Sequence, residues 1–203
     1  MQQAPPFIVV AGNIGAGKST VVRLLGERLG CSAWLEGVDG NPFFADFYAD
    51  PARWAFHSQL AFMTGALHDH MRISQSPEAA VQDRGVHEMY AIFAGHHHAE
   101  GNISDRELAQ LRRLLEIADL ARAPDLLVYV HAPLDELVRR VRSRARPEEE
   151  TVSPEYLHDL QRRYEPFLAE WRRSPILRID TSTFDPRSSD GAEEILARVS
   201  TAR

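Results

Sequence analysis

The stretch GNIGAGKST, Gly12 to Thr20, restricts the fold of this chain more than any other feature. Gly12, Gly17, Lys18 and Ser19 satisfy G-x-x-x-x-G-K-[ST] in full. The run before it, FIVVA (Phe7 to Ala11), is wholly apolar, as a parallel strand buried on both faces would be. The run after it places Val22, Leu25 and Leu29 at helical spacing, so the loop joins a strand to a helix. Glycines let the backbone N–H groups turn toward phosphate oxygens, and the helix N-terminus adds its positive end. Gly12, Asn13, Ile14, Gly15, Ala16, Gly17, Lys18, Ser19 and Thr20 are the expected cradle for a nucleoside triphosphate. Lys18 is expected at the β- and γ-phosphates, and Ser19 on Mg²⁺. The loop by itself does not distinguish hydrolysis, switching and donation to an acceptor.

The rest of the chain continues the alternation. CSAWLEG (ending at Glu36), AAVQDR (Ala79 to Arg84), DLLVYVHAP (Asp125 to Pro133) and PILRIDTS (Pro175 to Ser182) read as further strands. Asp50-Pro51, the Ser104/Glu107 capping box and Ser153-Pro154 mark helix starts between them, and Ile195, Leu196 and Val199 make the last dozen residues an amphipathic helix. Strands alternating with helices predict an α/β fold with a doubly wound sheet, in one domain over residues 1–203. A formal charge of -6 argues against nucleic-acid and anionic-membrane partners. The single cysteine, Cys31, cannot form an internal disulfide and reads as a small core residue. MQQAPP is neither a charged nor an apolar leader, and no apolar run reaches the roughly 20 residues of a membrane span, so a cytoplasmic protein is expected.

Transfer of a phosphoryl group needs a proton acceptor for the attacking hydroxyl, a cation and charge neutralisation around the γ-phosphate. Glu36, at the carboxyl end of the second strand, is positioned to take that proton. Asp83 and Arg84 end the third strand; the carboxylate can hold a water of Mg²⁺, and the guanidinium can brace Glu36 or the acceptor oxygen. In LDELVRRVRSRARPEEE, Leu134, Leu137, Val138 and Val141 share one helical face and leave Arg140 and Arg144 on another, with Arg146 just beyond. Clustered arginines on an acidic chain suit a lid, at about residues 139–152, that closes over the γ-phosphate.

The ordered set GNIGAGKS, WLEGV, NPFFADFYADPARWAFHSQ, QDRG, IFA, PDLLVYV and RRVRSRARPEEE followed by EYL resembles the deoxynucleoside kinase family, especially its short bacterial members, over nearly the whole chain. The resemblance implies a P-loop kinase whose five-stranded parallel sheet runs in the order 2-3-1-4-5. ATP is then the donor, with Mg²⁺, and the acceptor is the 5′-hydroxyl of a deoxynucleoside. By the same resemblance Glu36 is the general base with Arg84 beside it. Tyr48 and Glu149 hold the 3′-hydroxyl, Gln59 pairs with the base edge, Trp54 and Phe93 are pocket walls, and Arg140, Arg144 and Arg146 are lid arginines. The resemblance also implies a homodimer, or a heterodimer with a related subunit.

Gly85 stands where the family usually has serine, and Ala66 and Met89 stand where many relatives carry a base-reading arginine and aspartate. Losing both charges together avoids a buried, unpaired one. Glu88 or His87 is then the expected replacement contact near Met89, and the substrate leans to deoxyadenosine or deoxyguanosine with pyrimidines still open. GHHHAEG reads as a solvated helix end or loop rather than a metal site, because three consecutive histidines cannot face one ion. Two other functions fit part of the pattern. A thymidylate-type monophosphate kinase needs a further basic site, and near Tyr48 to Gln59 only Arg53 offers one. An inactive nucleotide-binding partner subunit has no need of Glu36, Asp83, Arg84 and the lid arginines.

Overall fold

In β1 (Phe7–Ala11), Ile8 and Val10 enter one apolar cluster while Phe7, Val9 and Ala11 enter another. β4 (Leu126–His131) repeats the division, with Leu126, Val128 and Val130 on one side and Leu127 and Tyr129 on the other. Side chains of a strand alternate between its faces, so helices must cover both sides of these two strands. The computed structural model describes residues 6–37, 40–146 and 151–202. With β2 (Ser32–Trp34), β3 (Ala80–Asp83) and β5 (Ile176–Asp180), the sheet is parallel throughout and runs β2-β3-β1-β4-β5, the order the resemblance implies.

Helix α1 (Lys18–Leu29) follows the glycine loop directly. After β2 come α2 (Phe44–Ala49) and α3 (Pro51–Gln75), whose N-cap Asp50 accepts the Arg53 N–H at 3.2 Å. After β3, α4 (Val86–Glu88) continues through a π-helical stretch, Met89–Ala94, into α5 (Gly95–Ala99). Ser104 and Glu107 close a capping box at the start of α6 (Asp105–Ala118). After β4 come α7 (Leu134–Arg144) and α8 (Pro154–Glu170), the latter capped by Ser153, and α9 (Ser189–Ala202) follows β5. Helices α2, α3, α4 and α6 share a third apolar cluster around Met63, Val86 and Leu111. No helix among the described residues is long and apolar enough to cross a membrane.

Two strand ends beside Glu36 differ from the sequence expectation. The β2–β3 pairing stops at Trp34 opposite Gln82, so Glu36 lies beyond the strand rather than at its last residue. The reason lies in β3, which ends at Asp83; Arg84 adopts φ 67, although its N–H still donates to Val10 O at 2.9 Å. That positive φ turns the chain out of the ladder, and Glu36 has no strand partner beyond it.

Candidate active site

The loop after β1 is formed by backbone that only glycine tolerates. Gly15 and Gly17 have φ 81 and 97, and a Cβ on Gly12 would lie 2.3 Å from Val130 O. Asn13 fixes the loop from within: its Oδ1 accepts the Ile14 N–H and its Nδ2 donates to Leu157 O, each at 2.8 Å. Lys18 is buried and its Nζ donates to Asn13 O at 3.1 Å. Burial lowers its pKa, the nearby Arg84 adds to this, and Asp83, Glu36 and Glu88 oppose it. Thr20 donates its N–H to Gly17 O in the first turn of α1.

Ser19 and Asp83 meet across the site, with Ser19 Oγ donating to Asp83 Oδ2 at 2.7 Å. Asp83 Oδ1 is buried without a hydrogen-bond partner, and burial raises the carboxyl's pKa while Lys18 pulls it down. An oxygen pair with one unsatisfied carboxylate atom suits a hard divalent cation. Among the described residues no group of three or more His, Cys, Asp and Glu could hold a metal, so such an ion would complete its shell with phosphate oxygens and water.

Arg84 is the centre of the charged set. Its Nε lies 3.0 Å from Glu36 Oε1, its Nη1 donates to Glu88 Oε1 at 3.0 Å, and its guanidinium carbon sits 4.2 Å from the Phe93 ring centre. Burial disfavours its charge, but Glu36 and Glu88 outweigh that and hold the pKa above the ordinary arginine value. The Glu36 side chain is 21% exposed whereas that of Arg84 is 4% exposed, so the carboxylate is the more open of the two to an incoming ligand.

Lys18, Ser19, Glu36 and Arg84 line one cavity, together with Ile14 and Gly15 of the loop. Tyr48, Gln59, Met89 and Phe93 line the same cavity, as do Arg144 and Arg146. Gln59 is 3% exposed and lines the cavity. Arg140 lies elsewhere. Its Nη1 donates to Thr181 Oγ1 at 2.8 Å and reaches Gly15 O and Ala16 O at 3.4 Å, while its Nε donates to Glu136 at 2.6 Å. It therefore braces the outside of the phosphate loop.

Trp54 does not line the cavity; it stacks on Phe43 at 5.6 Å with Arg53 over its face, which leaves Arg53 outside as well. Glu149 lies outside the described residues. Neither replacement contact expected beside Met89 is there. Glu88 turns under the phosphate loop, and His87 bonds Asp119 at 2.8 Å and packs edge-on to Trp171. Successive helical residues point about 100° apart, so Met89 faces the cavity and its neighbour cannot. The histidine run is not a solvated end either. His96 and His97 are buried, because α5 packs on α2 and α8: His97 meets Phe47 at 5.0 Å and Tyr156 at 5.9 Å. Burial, with His96 and Arg163 nearby, pushes the His97 pKa down to about 3, so this imidazole is neutral.

Four cavity residues escaped the sequence reading: Phe44, Phe47, Phe62 and Tyr156. The Ser153-Pro154 helix start could have flagged Tyr156, since it places that ring in the first turn after the lid. The aromatic residues carried no such signal, because helix core and ligand wall have the same composition.

Comparison with known proteins agrees with this geometry. The deoxynucleoside kinase family model matches residues 8–202. The chain is 32% identical to the deoxyadenosine/deoxycytidine kinase of Bacillus subtilis, over 93% of this chain and 88% of that one. It is also 32% identical to a deoxyguanosine kinase of Lactobacillus acidophilus, over 93% and 86%. Among solved structures, the deoxyadenosine kinase of M. mycoides with bound dATP superposes with a TM-score of 0.79 at 22% identity, covering 96% of this chain and 99% of that one. The loop, the sheet order, the shared cavity and a family match spanning nearly every residue lead to one assignment: the chain belongs to the deoxynucleoside kinase family of ATP-dependent phosphotransferases.

Proposed function

We propose that this protein transfers the γ-phosphoryl group of ATP directly to the 5′-hydroxyl of a deoxynucleoside, in nucleotide salvage in the cytoplasm. One observation carries the reading: the phosphate-loop residues Lys18 and Ser19 share a cavity with a carboxylate, Glu36, and with a buried carboxamide, Gln59. The first pair suits a triphosphate, and Gln59 offers a donor and an acceptor suited to a base edge. Glu36 is the general base, Arg84 steadies it, and Tyr48 and Glu149 take the 3′-hydroxyl. Mg²⁺, held through Ser19 and Asp83, would neutralise phosphate charge when bound. A monophosphate acceptor is disfavoured because Arg53, the basic residue within the Tyr48 to Gln59 segment, is engaged with Trp54 outside the cavity.

The acceptor base is proposed to be a purine. Met89 lines the cavity and Ala66 lies in the apolar cluster beside it, without the charged pair the family resemblance associates with these positions, and deoxyadenosine and deoxyguanosine occur in the names of the similar proteins. In a panel of four deoxynucleosides with adenosine as ribose control, the two purine deoxynucleosides are expected to have the highest kcat/KM. Gln59→Leu is expected to lower that value ~10- to 100-fold by leaving a base edge unpaired. A pyrimidine preference, or an unchanged Gln59→Leu variant, would contradict the base assignment.

Assembly as a homodimer is proposed from α6 and the turn after it, where Ile117 is 44% exposed and Leu120 87% exposed. Light scattering is expected to give about twice the 22.9 kDa chain mass, and a monomer at working concentration would refute it.

A further inference from the structure

We propose that Glu88 is a positioning residue that sets the Arg84 guanidinium for the reaction by sharing it with Glu36. The inference rests on the roles given above to Glu36 and Arg84. Glu88 is 1% exposed, and its Oε1 collects three donors from three parts of the fold. These are the Gly12 N–H at 2.9 Å, Arg84 Nη1 at 3.0 Å and the Tyr164 hydroxyl at 2.7 Å. Gly12 opens the phosphate loop and Tyr164 comes from α8, so the carboxylate is anchored by two parts of the fold other than the strand end that carries Arg84. A guanidinium is a rigid planar fork, and here Glu88 holds one edge, Glu36 faces another and Phe93 covers its face. That leaves one orientation.

The consequence concerns Glu36. An arginine and a carboxylate prefer a two-pronged pair, in which both carboxylate oxygens are occupied. As placed, Arg84 Nε lies 3.0 Å from Glu36 Oε1 without an aligned hydrogen bond, while its Nη1 is held by Glu88. The Glu36 carboxylate, which lines the cavity, is thereby left for a substrate hydroxyl. Without the Glu88 charge, Arg84 can rotate into a two-pronged pair with Glu36, and the proton acceptor is blocked while the triphosphate site is intact.

A double-mutant cycle on kcat and KM, with MgATP and deoxyadenosine or deoxyguanosine, tests this in the full chain. Glu88→Gln keeps the shape and an acceptor for Gly12 and Tyr164 while removing the charge. It is expected to lower kcat ~10- to 100-fold with KM for ATP within about threefold of wild type. Added to Arg84→Gln, it is expected to change kcat by less than about threefold, because its effect passes through Arg84. Losses that multiply, a Glu88→Gln enzyme as fast as wild type, or a loss confined to KM for ATP would each overturn the proposal. If Glu88→Gln alone does not fold, comparing Arg84→Gln with the double variant still decides, since both buried charges are then removed together. A wild-type protein inactive on every deoxynucleoside would instead bring down the functional reading on which the inference stands.

Discussion

Glu36→Gln is expected to lower kcat by ~10²- to 10⁴-fold, about 3–5 kcal/mol of barrier, while the protein folds and binds ATP as before. The attacking hydroxyl is a poor nucleophile until its proton is taken, and Glu36 is the cavity-lining carboxylate among the described residues. Folding survives because the change is nearly isosteric and Glu36 is partly exposed. The buried Arg84 keeps a carboxylate partner in Glu88, so no unpaired charge is created. Steady-state kinetics beside a thermal melt checks both halves, and a variant with full activity would remove Glu36 from the mechanism.

Arg144→Ala is expected to cost at least ~10³-fold in kcat, with a comparable loss for Arg146→Ala, as for arginines that neutralise a transferring phosphoryl group. Both line the cavity that Lys18 and Ser19 share. Arg140→Ala should behave differently. One helical turn earlier, about 5.4 Å along the axis, its guanidinium ends on Thr181 and the Gly15 and Ala16 carbonyls. Its removal loosens the phosphate loop from outside, so KM for ATP should rise more than kcat falls. Equal kcat losses from all three variants would contradict this division of labour.

The reach of the sequence differs from one part of the molecule to another, for physical reasons. The β1–loop–α1 unit was legible because the motif, the all-apolar strand and the 3.6-residue period constrain the same stretch independently. Helix starts were legible at Asp50, Ser104 and Ser153, since capping is local chemistry. Strand ends were not: whether Glu36 belongs to β2 depends on where β3 turns away, and that is set by the backbone at Arg84. The π-helical stretch Met89–Ala94 had no sequence mark, because it is a shift of backbone bonding rather than of side-chain pattern. In the cavity, the polar residues Lys18, Ser19 and Arg84 were found by their chemistry, and Gln59 by the family resemblance. Glu88 was misread, because residues adjacent in sequence point about 100° apart on a helix and do not share a face. Trp54, expected as a pocket wall, lies outside the cavity and the unmarked Phe62 lines it, because helical period alone does not say which of several aromatic faces meets a ligand.

The central claim is that Glu36 meets the acceptor's primary hydroxyl opposite the incoming phosphoryl group. A crystal structure with ADP, Mg²⁺ and a bound deoxynucleoside tests it most directly. The account predicts a Glu36 carboxylate oxygen at ~2.6–3.2 Å from the sugar 5′-oxygen, with the base edge on Gln59. A nucleoside bound with its 5′-oxygen out of reach of Glu36, or with another side chain in that position, would contradict it.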